Sequence, residues 1–185
     1  MILSKSSSLP RLKRPTTEEA LRFLKKKACI PKIIKHSIAV ATTAVELAES
    51  CTRKGTHVDI ALVRSGALLH DVGRSVTTDV KHGLEGAGIL REAGFSEDLA
   101  RIAERHVGAG IPKEEAMALG LPPKDYLPET LEEKIVCYAD KLVSGSKVTD
   151  IAYVIKNFAD KLGPDHPSIE RLKRLDKEIT HTING

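Results

Sequence analysis

The stretch Gly66-Ala67-Leu68-Leu69-His70-Asp71-Val72-Gly73 sets an imidazole and a carboxylate directly after a run of small and apolar residues. Working backwards, Ile60, Leu62, Val63, Leu68 and Leu69 recur at helical spacing, which predicts a helix starting near Val58 or Asp59. Its end falls around Gly73, because glycine tolerates the left-handed conformation that closes helices. His70 and Asp71 then occupy its last turn, where two metal-ligating groups lie against packed apolar surface.

The segments on either side carry the same helical period. Thr16 and Glu19 form a capping-box pattern that opens a first helix through about Lys27. Pro31 sits where a second begins, and Ile33, Ile34, Ile38, Val45 and Leu47, interleaved with alanines, carry its apolar stripe to about Cys51. Downstream, a fourth helix is expected from about Lys81 to Glu92, and a fifth from Ser96 as N-cap to His106. A short sixth lies between Pro112 and Gly120. After the loop marked by Pro122, Pro123 and Pro128, Thr130 and Glu133 repeat the capping-box spacing and open a helix containing Asp140. Two more helices, about 148–162 and 168–181, flank the breaker Gly163-Pro164-Asp165-His166-Pro167. No period-2 strand or internal repeat emerges. The expectation is an all-α single domain over 16–185 with additional C-terminal helices, preceded by a flexible basic arm over 1–15.

Composition agrees with packed helices. The chain has 185 residues, 41% hydrophobic but only 3% aromatic with no Trp, so Leu, Ile, Val and Ala must fill the core. Cys29, Cys51 and Cys137 are widely spaced and odd in number, which argues against a disulfide framework or a Cys-rich zinc site. With no apolar run of membrane-spanning length, a cytoplasmic location with no membrane association is expected. The formal charge of +4 includes a basic N-terminal share from Lys5, Arg11, Lys13, Arg14 and Lys25-Lys26-Lys27. That charge favours anionic partners, but aromatic interleaving for base stacking is absent, so RNA is a possible partner and not the favoured one.

A His-Asp dipeptide alone is weak evidence; the residues around it supply the specificity. His36 falls early in the second helix, His82 at the start of the fourth, His106 near the end of the fifth, and Asp140 after the proline loop. Imidazole and carboxylate groups from several helices are suited to converge on a divalent ion inside a bundle. His57, His166 and His181 lie in loops or near the C-terminus and are read as ordinary surface residues.

In Lys35-His36-Ser37, Leu69-His70-Asp71-Val72 and Tyr138-Ala139-Asp140-Lys141 the chain resembles the HD superfamily of metal-dependent phosphohydrolases, over roughly residues 30–145. His82 in Lys81-His82-Gly83 and His106 in Arg105-His106-Val107 look like the further histidines of the two-metal branches, one of which includes the symmetrical dinucleoside tetraphosphate hydrolases. The resemblance implies an HD-domain helical bundle in which His36, His70, Asp71 and Asp140 bind a first ion and Asp71 bridges to a second held by His82 and His106. It also implies catalysis through His70 and Asp71 and a cofactor of one or two divalent ions drawn from Fe, Mn, Co, Ni, Zn or Mg. No Glu-Asp pair follows Asp71, which counts against (p)ppGpp hydrolysis.

The activity so implied is cleavage of a phosphoester or phosphoanhydride of a phosphorylated small molecule, a nucleotide or related compound, by metal-activated water. Arg74, Lys81, Arg105 and Lys141 are the candidate phosphate contacts. Arg74 ranks first for its planar donor fork, and Lys141 is weaker because its helical position points about 100° from Asp140. The alternatives are a non-catalytic nucleotide sensor or RNA-associated regulator and, further off, a di-iron HD oxygenase. The C-terminal helices offer a possible homo-oligomer interface.

Overall fold

The computed structural model describes residues 14–185, so the arm predicted over 1–15 lies almost wholly outside the described residues. The elements are α1 (Thr17–Lys26), α2 (Pro31–Arg53), α3 (Ile60–Leu69), a 3-10 turn (Val72–Ser75), α4 (His82–Glu92), α5 (Glu97–Arg105), α6 (Lys113–Ala118), α7 (Leu131–Leu142), a hairpin of β1 (Val143–Ser144) and β2 (Lys147–Val148), α8 (Ile151–Leu162) and α9 (Pro167–Asn184). The all-α expectation holds, and no helix among the described residues is long and apolar enough to cross a membrane.

Local chemistry explains most boundaries. Thr16 Oγ1 accepts from the Glu19 amide at 3.3 Å while Glu19 Oε2 accepts from the Thr16 amide at 2.8 Å, the full capping box. Pro31 fills the first turn of α2, where its missing N–H costs nothing. Asp59 caps α3 through the Leu62 amide. The second predicted box is only half made: Thr130 caps Glu133, but the Glu133 carboxylate accepts instead from the Glu129 amide and Arg105. Ser96 stands at the N-cap of α5 without a side-chain bond to it.

Helix α2 packs on α3 and α7 through a face of small side chains, with Val40, Ala41, Ala44, Ala48 and Cys51 buried. Gly66 of α3 meets α5 so closely that an added Cβ would lie 2.5 Å from Ile102 Cδ1. Helix α9 joins the same core through Leu175 and Ile179, and α8 packs through Val154 against Ala109 and Leu172.

Two expectations are corrected. The third helix does not run to Gly73: it stops at Leu69, and Asp71 sits at φ −97°, ψ 14°, between the helical and extended basins. Beyond the break Gly73 approaches the start of α4 so closely that an added Cβ would fall 1.9 Å from His82 O. The second correction is the hairpin after α7. It pairs Val143 with Val148 and Ser144 with Lys147 around Gly145-Ser146, and Gly145 at φ 65° supplies the positive angle that a tight two-residue turn requires.

Candidate metal centre

His36, His70, Asp71, His82, His106 and Asp140, from five helices and the turn after α3, meet at one place. Three of the histidines are oriented by the same local device. The Nδ1 of His70 donates to Ala67 O at 2.7 Å, that of His82 to Asp79 O at 2.6 Å, and that of His106 to Ala103 O at 2.7 Å, each three residues back. His70 and His106 are the residues that follow α3 and α5, so each satisfies a carbonyl that the helix end leaves without an amide. His36 is held from farther away, its Nδ1 donating to Gly145 O of the hairpin turn at 2.8 Å. With Nδ1 protonated, every neutral ring turns a lone pair on Nε2 inward, the tautomer in which a metal-ligating histidine is held by its outer partner.

The inward atoms fall into two groups that share Asp71. Around Asp71 Oδ1, His82 Nε2 is at 3.3 Å and His106 Nε2 at 3.4 Å, and the two nitrogens are 3.1 Å apart. Around Asp140 Oδ1, His36 Nε2 is at 2.9 Å and His70 Nε2 at 3.4 Å, with Asp71 Oδ2 at 4.0 Å and 3.8 Å from those nitrogens. Ligands at bond lengths of about 2.0–2.2 Å in tetrahedral or octahedral arrangement lie roughly 3.0–3.5 Å from one another, close to the spacing here except for the two longer Asp71 Oδ2 distances. Asp71 Oδ1 and His70 Nε2 are buried with no hydrogen-bond partner. Electron-rich atoms gathered in a nearly dry interior fit a divalent cation.

Charge is balanced acid by acid. Arg74 Nε donates to Asp71 Oδ2 at 2.8 Å and Lys141 Nζ to Asp140 Oδ2 at 2.5 Å. Burial pushes both carboxyls upward, but His70, His106 and His82 outweigh it at Asp71, and Lys141, His36 and His70 do so at Asp140, so both sit well below the usual carboxylate range. Burial lowers His106 to about 4 against the pull of Asp71. At His70 burial also lowers, yet the Asp71 and Asp140 charges prevail and raise it above its ordinary value.

A ligand must lose its proton to bind an ion, so if His70 serves as a ligand, metal uptake is expected to displace a proton from it and affinity to rise with pH. Below the raised His70 value the gain is up to about tenfold per pH unit for one displaced proton. Calorimetric titrations with Mn²⁺ in buffers of different ionisation enthalpy measure this release directly. Equal affinity at pH 6 and 8 would contradict the assignment of His70.

The candidate phosphate contacts fare unequally. Arg74 stands at the centre, 29% exposed, with Nη1 on Thr78 O, so its first role is to hold Asp71. Lys141, the weaker candidate by helical angle, is at the centre as well: the angle fixes its Cβ, while the long side chain curls back to Asp140. Lys81 is exposed beside His82. Arg105 has its Nη1 held by Glu129 at 2.8 Å and Glu133 at 2.9 Å, so its charge is already paired away from Asp71 and Asp140. Sequence reading missed the Gly145 carbonyl; its signal was Gly145-Ser146 between Val143 and Val148.

Fold and site together define an all-helical protein built around a His/Asp centre for divalent ions. Residues 33–145, over half of the chain, match the family model described as HD domain, and the chain belongs to that family. A Methanocaldococcus jannaschii protein described as uncharacterized is 55% identical over 166 residues, covering 90% of this chain and 98% of that protein. The tRNA (cytidine(56)-2'-O)-methyltransferase of Picrophilus torridus is 39% identical over 168 residues, covering 90% of this chain but 47% of its own. This chain therefore spans about half the length of that relative. Among solved structures, the HD domain of the L. monocytogenes phosphodiesterase PgpH in complex with cyclic-di-AMP superposes with a TM-score of 0.50 at 23% identity, covering 90% of this chain and 95% of that one. At that identity the likeness concerns the fold.

Proposed function

We propose that this chain is a metal-dependent phosphohydrolase that cleaves a phosphoester or phosphoanhydride of a nucleotide or related compound with metal-activated water. The observation that carries the reading is the sharing of Asp71 between two donor groups, Oδ1 toward His82 and His106 and Oδ2 toward His36 and His70. His36, His70, Asp140 and Asp71 would hold one ion, and Asp71, His82 and His106 the other. Bound divalent ions supply Lewis acidity for a phosphoryl oxygen and lower the pKa of water toward neutrality.

The protein's own part is orientation and charge. The four backbone carbonyls fix the imidazole tautomers, so none of the rings must reorient to bind. Arg74 and Lys141 offset the two carboxylates, so ions added to the centre leave it net positive and attractive to phosphate. Exposure rises from the buried His70 to His36 at 15% and Arg74 at 29%, so a phosphate enters from the side of those two residues.

Purified protein loaded in turn with Mn, Fe, Co, Ni, Mg and Zn is expected to hydrolyse at least one member of a panel of nucleoside mono-, di- and triphosphates, dinucleoside polyphosphates and cyclic dinucleotides. Cyclic-di-AMP, the ligand of the solved HD domain, belongs in that panel. Inactivity with every ion would overturn the proposal.

A second reading, an RNA-associated regulator, draws on the tRNA methyltransferase that contains a homologous half. It requires tRNA binding that persists in Asp71→Asn and no turnover with any ion; tRNA binding lost on deleting residues 1–15 would tie it to the basic arm.

A further inference from the structure

A cavity of about 320 Å³ lies between the hairpin and α8, lined among others by Ser144, Lys141, Tyr153, Asn157, Phe158 and Lys161. It abuts the metal centre through two connections. Lys141 lines it and places Nζ 2.5 Å from Asp140 Oδ2. The hairpin that forms one wall also holds His36 through Gly145 O. Thr149 ties that wall to α7, its amide and hydroxyl both donating to Leu142 O, and Asp150 caps α8 through the Tyr153 amide.

The lining combines the apolar side chains of Val143, Val154 and Leu162 with a set of aromatic, amide and basic groups. Tyr153 is 47% exposed and Phe158 half-buried, which offers flat aromatic surface. Among the described residues no hydrogen bond or ion pair engages the Asn157 amide, the Tyr153 hydroxyl or the Lys161 ammonium. Tyr153 and Lys161 keep contact with solvent, whereas a purely apolar occupant would leave the part-buried Asn157 amide without a partner, at a cost. A planar ring with donors and acceptors on its edge, carried on a phosphate, satisfies them together: the aromatic faces stack on it, the amide pairs with its edge and the lysines meet the anion. The volume falls at the small end of the range for small-molecule sites, roughly 300–1,000 Å³.

We infer that this cavity is a nucleoside subsite, formed by Tyr153, Asn157 and Phe158 of α8 and positioned by Lys141, which sets a nucleotide's phosphate at the metal centre. The inference rests on the phosphohydrolase reading for the phosphate end of the ligand. Helix α8 lies beyond residue 145, where the HD match ends, so Tyr153, Asn157 and Phe158 stand outside that match while Lys141 and Ser144 stand within it.

Calorimetry on the Mn²⁺-loaded full chain tests it, with AMP, GMP, CMP and UMP as 5′-monophosphates and inorganic phosphate as the nucleoside-free reference. At least one nucleotide is expected to bind tenfold or more tightly than phosphate, the scale of stacking a single base. Tyr153→Ala and Asn157→Ala, both at solvent-accessible positions, are expected to remove that increment while leaving phosphate affinity and thermal stability unchanged. No nucleotide increment in the wild type, or an increment that survives both substitutions, would overturn the subsite. The metal panel described above is read separately: binding increments without turnover would leave the subsite standing and reject hydrolysis, whereas turnover without the increment would do the reverse.

Discussion

Replacing Asp71 with Asn is expected to remove both ions from the centre and lower phosphohydrolase activity by about a thousandfold or more, the several kcal/mol that metal ions contribute to phosphoryl transfer. The substitution keeps the shape of the side chain, but its amide nitrogen has no lone pair for a metal, so one group loses its ligand. Loss of the charge also leaves repulsion between two closely spaced cations without a bridging anion. His82→Ala with His106→Ala strips only the group around Oδ1, and stoichiometry is expected to fall from two ions to one. Elemental analysis after dialysis separates the cases. Two ions retained in Asp71→Asn would contradict the bridge.

Gly73→Ala is expected to damage the fold and the site together. A Cβ at Gly73 would stand 1.9 Å from His82 O and 2.5 Å from the Gly86 amide nitrogen, both main-chain atoms that no side-chain rotation can relieve. Separating the 3-10 turn from α4 costs about 3 kcal/mol, about 10 °C in Tm for a chain of this size. The same movement carries His82 away from Asp71, so the ion between Asp71, His82 and His106 should be lost as well. Gly88, in the same helix with nothing within 4 Å of its added Cβ, is the control: Gly88→Ala should stabilise by about 1 kcal/mol through helix propensity. Scanning calorimetry distinguishes the two, and equal stability of both variants would refute the close-approach argument.

That His36, His70, His82, His106 and Asp140 gather with Asp71 was legible in sequence because residue type marks them out and all but Asp71 fall in or at the ends of helices that periodicity can place. His70 and His106 close their helices and His82 opens one, as the pattern implied. Less legible was everything set by distant backbone. The break at Asp71 is followed by the close approach of Gly73 to α4, a distant contact that local propensity does not encode. The hold on His36 comes from a carbonyl 109 residues away. Arg74 and Arg105 look alike in sequence, each within three residues of a candidate ligand, yet one pairs with Asp71 and the other with Glu129 and Glu133. Lys141 shows that helical angle constrains a short side chain far better than a long one.

The sharing of Asp71 is tested most directly by counting and locating ions in the unmodified chain. Crystals of protein saturated with Mn²⁺, with anomalous diffraction and elemental analysis on the same preparation, are expected to show two ions: one contacted by His36, His70, Asp140 and Asp71 Oδ2, and one by His82, His106 and Asp71 Oδ1. A single ion at full occupancy, with His82 and His106 turned from any second position under saturating metal, would contradict it.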